Sequence, residues 1–197
     1  MKSHGLLMSD PMMRAVLSGQ KTVTRRLSGK WANVNPGDEV WMREVWHYWD
    51  WTEDGYPFIK YRCDGAERCI DVIDSEADSE RFMRHWIELS GRGIPARDTV
   101  WRSSMIMPRT VCRSFGEVVS VREERLQDIT EDDCRLEGMH TVTWGDVLAL
   151  PGKKSALRTL SRLWESLSMR ERFALYIDLM NPGSWTANPP VYRVEWS

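Results

Sequence analysis

Two spacings of apolar positions succeed one another along this chain, and the switches between them mark its elements. Over DPMMRAVLSG (10–19), Met12, Ala15 and Val16 fall on one helical face. Asp10 can cap the start, Pro11 suits the first turn, and Gly19 can take the left-handed conformation that ends a helix. Lys21 to Arg26 then has the threonine and valine content of a beginning strand. Asn35 to Asp38 (NPGD) is a turn, with Glu39 to Trp46 predicted as a strand after it and Tyr56 to Cys63 as another. His47 to Gly55 reads as an aromatic, acidic loop or hairpin tip.

Beyond residue 64 the pattern loosens. Acidic DVIDSEADSE gives way to RFMRHWIEL and Gly-Arg-Gly, which predicts a loop, a short helix around 78–89 and a second loop. Thr99 to Trp101 and Phe115 to Arg122 read as strands, and Pro108 between them forbids a central strand. LQDITEDDCRLEGM (126–139) has both helix ends marked: Thr130 and Asp133 form a capping-box pair and Gly138 can close the helix, leaving Glu137 at its end. From Ser155, Leu157, Leu160, Leu163, Trp164 and Leu167 form the apolar stripe of a longer helix. A further helix covers 169–179, and Pro190 to Trp196 is a closing strand. Strands mixed with short helices, with no βαβ alternation and no phosphate-loop glycine pattern, predict a single α+β domain over 1–197 built round a curled or closed antiparallel sheet.

Charge changes the picture little. Lys+Arg of 27 against Asp+Glu of 29 gives a formal charge of -2, so a grip on phosphate must come from a local cluster. The 11 tryptophans are mostly packing anchors, with one or two left as candidates to stack on a planar ligand. Cys63, Cys69, Cys112 and Cys134 form no CxxC pair and have no matching histidine spacing, so neither a zinc site nor another cofactor is expected. No leader-like apolar region and no run of about 18 apolar residues occurs. The expectation is a cytoplasmic chain with reduced thiols and no membrane partner.

The local cluster is SGQKTVTRR (18–26), which by itself is either a solvated turn entering a polar strand or a grip on something anionic or base-like. Gly19, Lys21 and Arg26 match the G-x-K-x4-R signature of the ASCH family, and the chain resembles that family in further segments taken in order. These are PGDEVWMREVW (36–46), WRSSMIMPR (101–109), VREERLQDITEDDCRLEGM (121–139) and NPPVYRVEW (188–196), similar to bacterial and phage-encoded members. The resemblance implies a PUA-like β-barrel with flanking short helices, carrying insertions at about 64–98 and 140–185. Relatives of this kind include RNA-associated modules, a ribonuclease-like branch and an amidohydrolase that removes acetate from N4-acetylcytidine.

Similarity to the amidohydrolase implies a role for each of three residues: Thr24 as nucleophile, Lys21 as base and Glu137 as proton donor. Gly19, Arg25 and Arg26 in the same string, and Arg43, Glu44 and Trp46 on the following strand, are candidates to contact substrate. Strand alternation keeps Arg43 and Glu44 from both facing one cavity. To act as a base, Lys21 must titrate below its usual value near ~10.4; neighbouring Arg25 and Arg26 push it that way, and burial adds to them. A regular strand would turn Lys21 and Thr24 to opposite faces, so catalysis requires Lys21 in the helix-to-strand turn or on a bulge. The expected partner is a modified nucleoside, specifically an N4-acylated cytidine, or RNA. The alternatives are a base- or RNA-binding module and a metal-independent ribonuclease using the same cavity. Nothing in the sequence indicates an oligomeric state.

Overall fold

A computed structural model of the chain describes residues 1–27, 29–53, 56–70, 80, 82–84, 87, 100–150 and 161–197. Strands β1 (Ser3–Leu7), β2 (Val23–Arg26), β3 (Glu39–Arg43), β4 (Trp46–Trp51), β5 (Pro57–Tyr61) and β6 (Glu67–Cys69) fill its first third, with helix α1 (Asp10–Leu17) between the first two. Strand β7 (Phe115–Arg125), helices α2 (Glu131–Leu136), α3 (Trp144–Leu148), α4 (Ser161–Ser166), α5 (Met169–Met180) and α6 (Ser184–Ala187), and strand β8 (Pro190–Trp196) complete it. The architecture is α+β, with a five-stranded sheet ordered β1-β3-β7-β8-β2 and a three-stranded sheet ordered β4-β5-β6. No helix among the described residues is long and apolar enough to cross a membrane.

Two compact units divide the chain: Met1–His4, Pro11–Val40 and Gly116–Ser197 form one, Gly5–Asp10 and Trp41–Phe115 the other. In the first unit β8 lies between β7 and β2, antiparallel to both, with Thr24 opposite Val194 and Arg25 opposite Arg193. Val23, Val118, Val191, Val194, Leu126 and Ile129 are buried there. The second unit packs Trp46, Tyr48, Ile59, Tyr61, Ile70, Phe82, Met107, Val111 and Cys112 into its own core.

The strand predicted over Glu39–Trp46 is two strands, and the loop or hairpin tip predicted over His47–Gly55 is largely the second of them, with the tip of the β4–β5 hairpin confined to the residues after Trp51. Trp46 pairs with Tyr61 and Tyr48 with Ile59, after which the register slips so that Asp50 opposes Phe58. That bulge at Trp49 resets the alternation and puts Tyr48 and Trp51 on one face, their rings stacked at 5.4 Å. Aromatic residues spaced two and then three apart fit no single period, which is why the segment reads as a loop. Val100 and Trp101 are not a strand either; the neighbouring Arg102 forms one isolated bridge with Trp46. The helix expected at 78–89, like most of the 64–98 insertion, falls largely outside the described residues, as does the expected helix start at 155–160. The 140–185 segment carries α3, α4 and α5. Helix α3 was hidden in the sequence by its shortness, although Thr143 and Asp146 cap it reciprocally as Thr130 and Asp133 cap α2.

Candidate functional site

Helix α1 ends on Gly19, whose φ of +72° closes the helix, and the carbonyl of Ala15 then accepts from both Gln20 N and Lys21 N. Thr22 N donates to the carbonyl of Leu136, and β2 begins only at Val23. Lys21 therefore sits in the helix-to-strand turn. At the other side of the site, Thr130 accepts from Asp133 N to start α2, and Glu137 occupies the C-cap in a helical conformation. Gly138 follows with φ of +81°, and a Cβ there would lie 2.7 Å from Ala15 Cβ and 3.3 Å from Lys21 Cβ. Glycine at 138 thus lets the end of α2 close against the turn that carries Lys21.

The two ends meet in a buried ion pair. Lys21 Nζ donates to Glu137 Oε2 at 2.6 Å, to the Glu137 carbonyl at 2.9 Å and to the Val23 carbonyl at 2.7 Å. Lys21 is 2% exposed and Glu137 4%. The second carboxylate oxygen, Oε1, accepts from Arg25 Nη1 at 3.3 Å. Arg25 in turn donates through Nε to Glu124 at 2.6 Å and pairs through Nη2 with Asp133 at 2.9 Å. Arg193, opposite Arg25 in the β2–β8 register, donates to the other oxygen of Asp133 and to Glu195. Asp133 and Glu137 are four residues apart, on one face of the helical segment, and dock it on a cross-strand pair of arginines.

Burial holds the Lys21 ammonium below its ordinary range; Glu137 opposes that shift, while Arg26 and then Arg25 add to it. The Arg26 guanidinium is also lowered by burial, with Glu137 opposing, and it stays a cation. All three protons of the ammonium have acceptors. Two of these are carbonyls that cannot take a proton, whereas the third is a carboxylate that can. A neutral amine would keep both carbonyl bonds with its two protons and turn its lone pair to Glu137. One proton can therefore pass between Nζ and Oε2 with no change in total charge and no movement of heavy atoms.

Thr24 is buried in β2, where alternation sends Thr24 and Arg26 to one face and Val23 and Arg25 to the other. Among the described residues the Thr24 hydroxyl makes no side-chain hydrogen bond, and Lys21 Nζ reaches the strand at the carbonyl of the preceding residue, Val23. The remaining sequence candidates are engaged inside the second unit. Arg43 lies over the Trp41 ring at 5.1 Å and donates to the Met105 carbonyl, and Trp46 is a core residue. Glu44 is 0% exposed, held bidentately by Arg113 at 2.8 and 2.9 Å and by the Cys63 thiol at 3.1 Å. Sequence reasoning missed Glu124, Asp133 and Arg193. Only the four-residue spacing of Asp133 and Glu137 hints at them.

A pocket of about 410 Å³ in the first unit is lined by Glu131, Ser168, Arg170, Glu171, Ala174 and Trp185, not by the Lys21 pair. Glu131 itself fills the helix terminus there, accepting from Met169 N and Arg170 N. No group of three or more His, Cys, Asp or Glu that could hold a metal ion occurs among the described residues. Compared with known proteins, the chain matches no family model, no curated protein and no solved structure.

Proposed function

We propose that this chain is an ASCH-like hydrolase with a PUA-like barrel built on its five-stranded sheet, and that it cleaves the amide of a modified nucleoside such as N4-acetylcytidine. The observation that carries the reading is the buried Lys21–Glu137 pair, whose 2.6 Å contact sets an amine donor directly against a carboxylate oxygen. Moving one proton from Nζ to Oε2 creates a neutral base and a protonated acid in one step.

In this mechanism the Thr24 hydroxyl gives its proton to Lys21 as Oγ1 attacks the acyl carbon. Glu137 protonates the departing N4 amine as the carbon–nitrogen bond breaks, which releases cytidine and leaves an acetyl ester on Thr24. The pair is then back in its charged form, Lys21 ammonium and Glu137 carboxylate. After a second internal proton transfer, water attacks the ester, Lys21 takes the water's proton, and Glu137 returns one to Thr24 as acetic acid leaves. Arg26 shares a face of β2 with Thr24, which suits its guanidinium to the developing carbonyl oxyanion.

The test is incubation of the purified chain with N4-acetylcytidine, following cytidine by chromatography. Turnover should fall at least about a hundredfold in each of Lys21→Ala, Thr24→Val and Glu137→Gln. Turnover no greater in the wild type than in Lys21→Ala overturns the reading, and ligand retention without turnover would leave a base-binding module in its place.

A further inference from the structure

Arg25 in the first unit is a closely held cation. Its side chain is 1% exposed, and its guanidinium faces three carboxylates: Glu124 from β7, and Asp133 and Glu137 from α2 and its C-cap. The two shorter contacts, to Glu124 on β7 at 2.6 Å and to Asp133 on α2 at 2.9 Å, fix the plane of the fork. The remaining nitrogen, Nη1, is thereby presented to Glu137 Oε1 at 3.3 Å. The carboxylate of Glu137 is consequently divided, one oxygen on an arginine that never gives up a proton and the other on a lysine that can.

We propose that Arg25 is a positioning residue for the Lys21–Glu137 pair: clamped by Glu124 and Asp133, it holds Oε1 so that Oε2 stays aligned on Lys21 Nζ. Its fixed charge also sets the pH interval over which the pair carries one shared proton. Removing that charge moves the interval upward as a whole, because a nearby cation disfavours every added proton. The charged groups packed round the pair are Arg26 beside it on β2, Asp133 on α2, Glu124 with Arg122 on β7, and Arg193 with Glu195 on β8. The buried Cys134 thiol, pushed up to about 12, remains neutral over the working range. The effect on rate rests on the hydrolase reading above, whereas the effect on the Lys21 titration does not.

The experiment compares wild type with Arg25→Gln, which removes the charge, Arg25→Lys, which keeps charge but loses the fork, and Glu124→Gln, which loosens the clamp. One readout is the Lys21 amine titration, followed by NMR of lysine carrying ¹³C at Cε; the other is kcat and KM for N4-acetylcytidine against pH. Arg25→Gln should raise the Lys21 titration and both limbs of the rate profile by about one pH unit. Arg25→Lys and Glu124→Gln should leave the titration near wild type and lower kcat about tenfold and severalfold respectively, with KM unchanged. Should Arg25→Gln fail to fold, the kcat and KM split in the other two variants decides the matter. An unmoved Lys21 titration in folded Arg25→Gln, or a raised KM with unchanged kcat, overturns the proposal. Absence of wild-type turnover removes the hydrolase reading, and the Lys21 titration still judges Arg25.

Discussion

Each unit of the chain buries a glutamate against cations, but the two clusters differ in what faces the carboxylate. In the first unit Glu137 meets a lysine and one nitrogen of an arginine. In the second, Glu44 is gripped by both prongs of Arg113, which also pairs with Asp64 and lies over the Tyr61 ring at 4.1 Å. The thiol of Cys63, raised by burial and then by Glu44, completes that cluster as a donor. Arginine cannot release a proton near neutrality and this thiol does not, so the Glu44 cluster can only hold structure. The lysine in the Glu137 cluster makes an otherwise similar arrangement able to move a proton. Burial of an ion pair is therefore a poor marker of chemistry on its own; the identity of the cation decides.

That contrast can be broken at four places. The largest effect is expected at Lys21→Met, which should lower N4-acetylcytidine turnover about a thousandfold in folded protein. Its counterpart, Arg113→Met, strands the buried Glu44 carboxylate and should cost about 3–5 kcal/mol in urea unfolding, while kcat per folded molecule stays at the wild-type value. Loss of turnover in Arg113→Met would erase the distinction between the clusters. Gly138→Ala forces a side chain onto a left-handed backbone and against Ala15, so a destabilisation of about 2–4 kcal/mol should accompany a drop in turnover.

The smallest effect concerns a carboxylate held mainly by hydrogen bonds, with His4 beside it. Asp38 accepts from Lys2 N, His4 Nε2 and Asn35 N, and the Lys2 bond, first among these, helps push it down to about 2. Because the folded value lies below the ordinary one near ~3.9, its stabilisation is complete above that value and is lost as pH falls toward about 2. Thermal melts of Asp38→Asn should be less sensitive to pH across that interval than those of the wild type. An identical pH response in both proteins would remove Asp38 as the cause.

Local signals made part of this legible in advance. The helix stop at Gly19 left room for Lys21 in a turn, although the strand predicted from Lys21 begins at Val23, and the Thr130–Asp133 box with Gly138 put Glu137 at a helix end. Both depend on residues within a few positions of one another. The partners could not be read this way: Glu124 lies 99 residues beyond Arg25, and Arg113 lies 69 beyond Glu44. Such pairs follow from strand register and docking, which a single sequence does not encode locally. Glu44, expected against substrate, is accordingly found in a cluster whose other members carried no signal. The same limit explains β4, whose bulge at Trp49 broke the alternation on which a strand is recognised.

Residue 137 supplies Nζ of Lys21 with both a main-chain and a side-chain oxygen, and Val23 supplies the third. Together they enclose the amine as a chelate encloses a small cation. Reagents that methylate amines should modify exposed Lys2 and Lys30 readily and pass over Lys21 in the folded chain. Its slow alkylation would then serve as a clock for how often that enclosure opens.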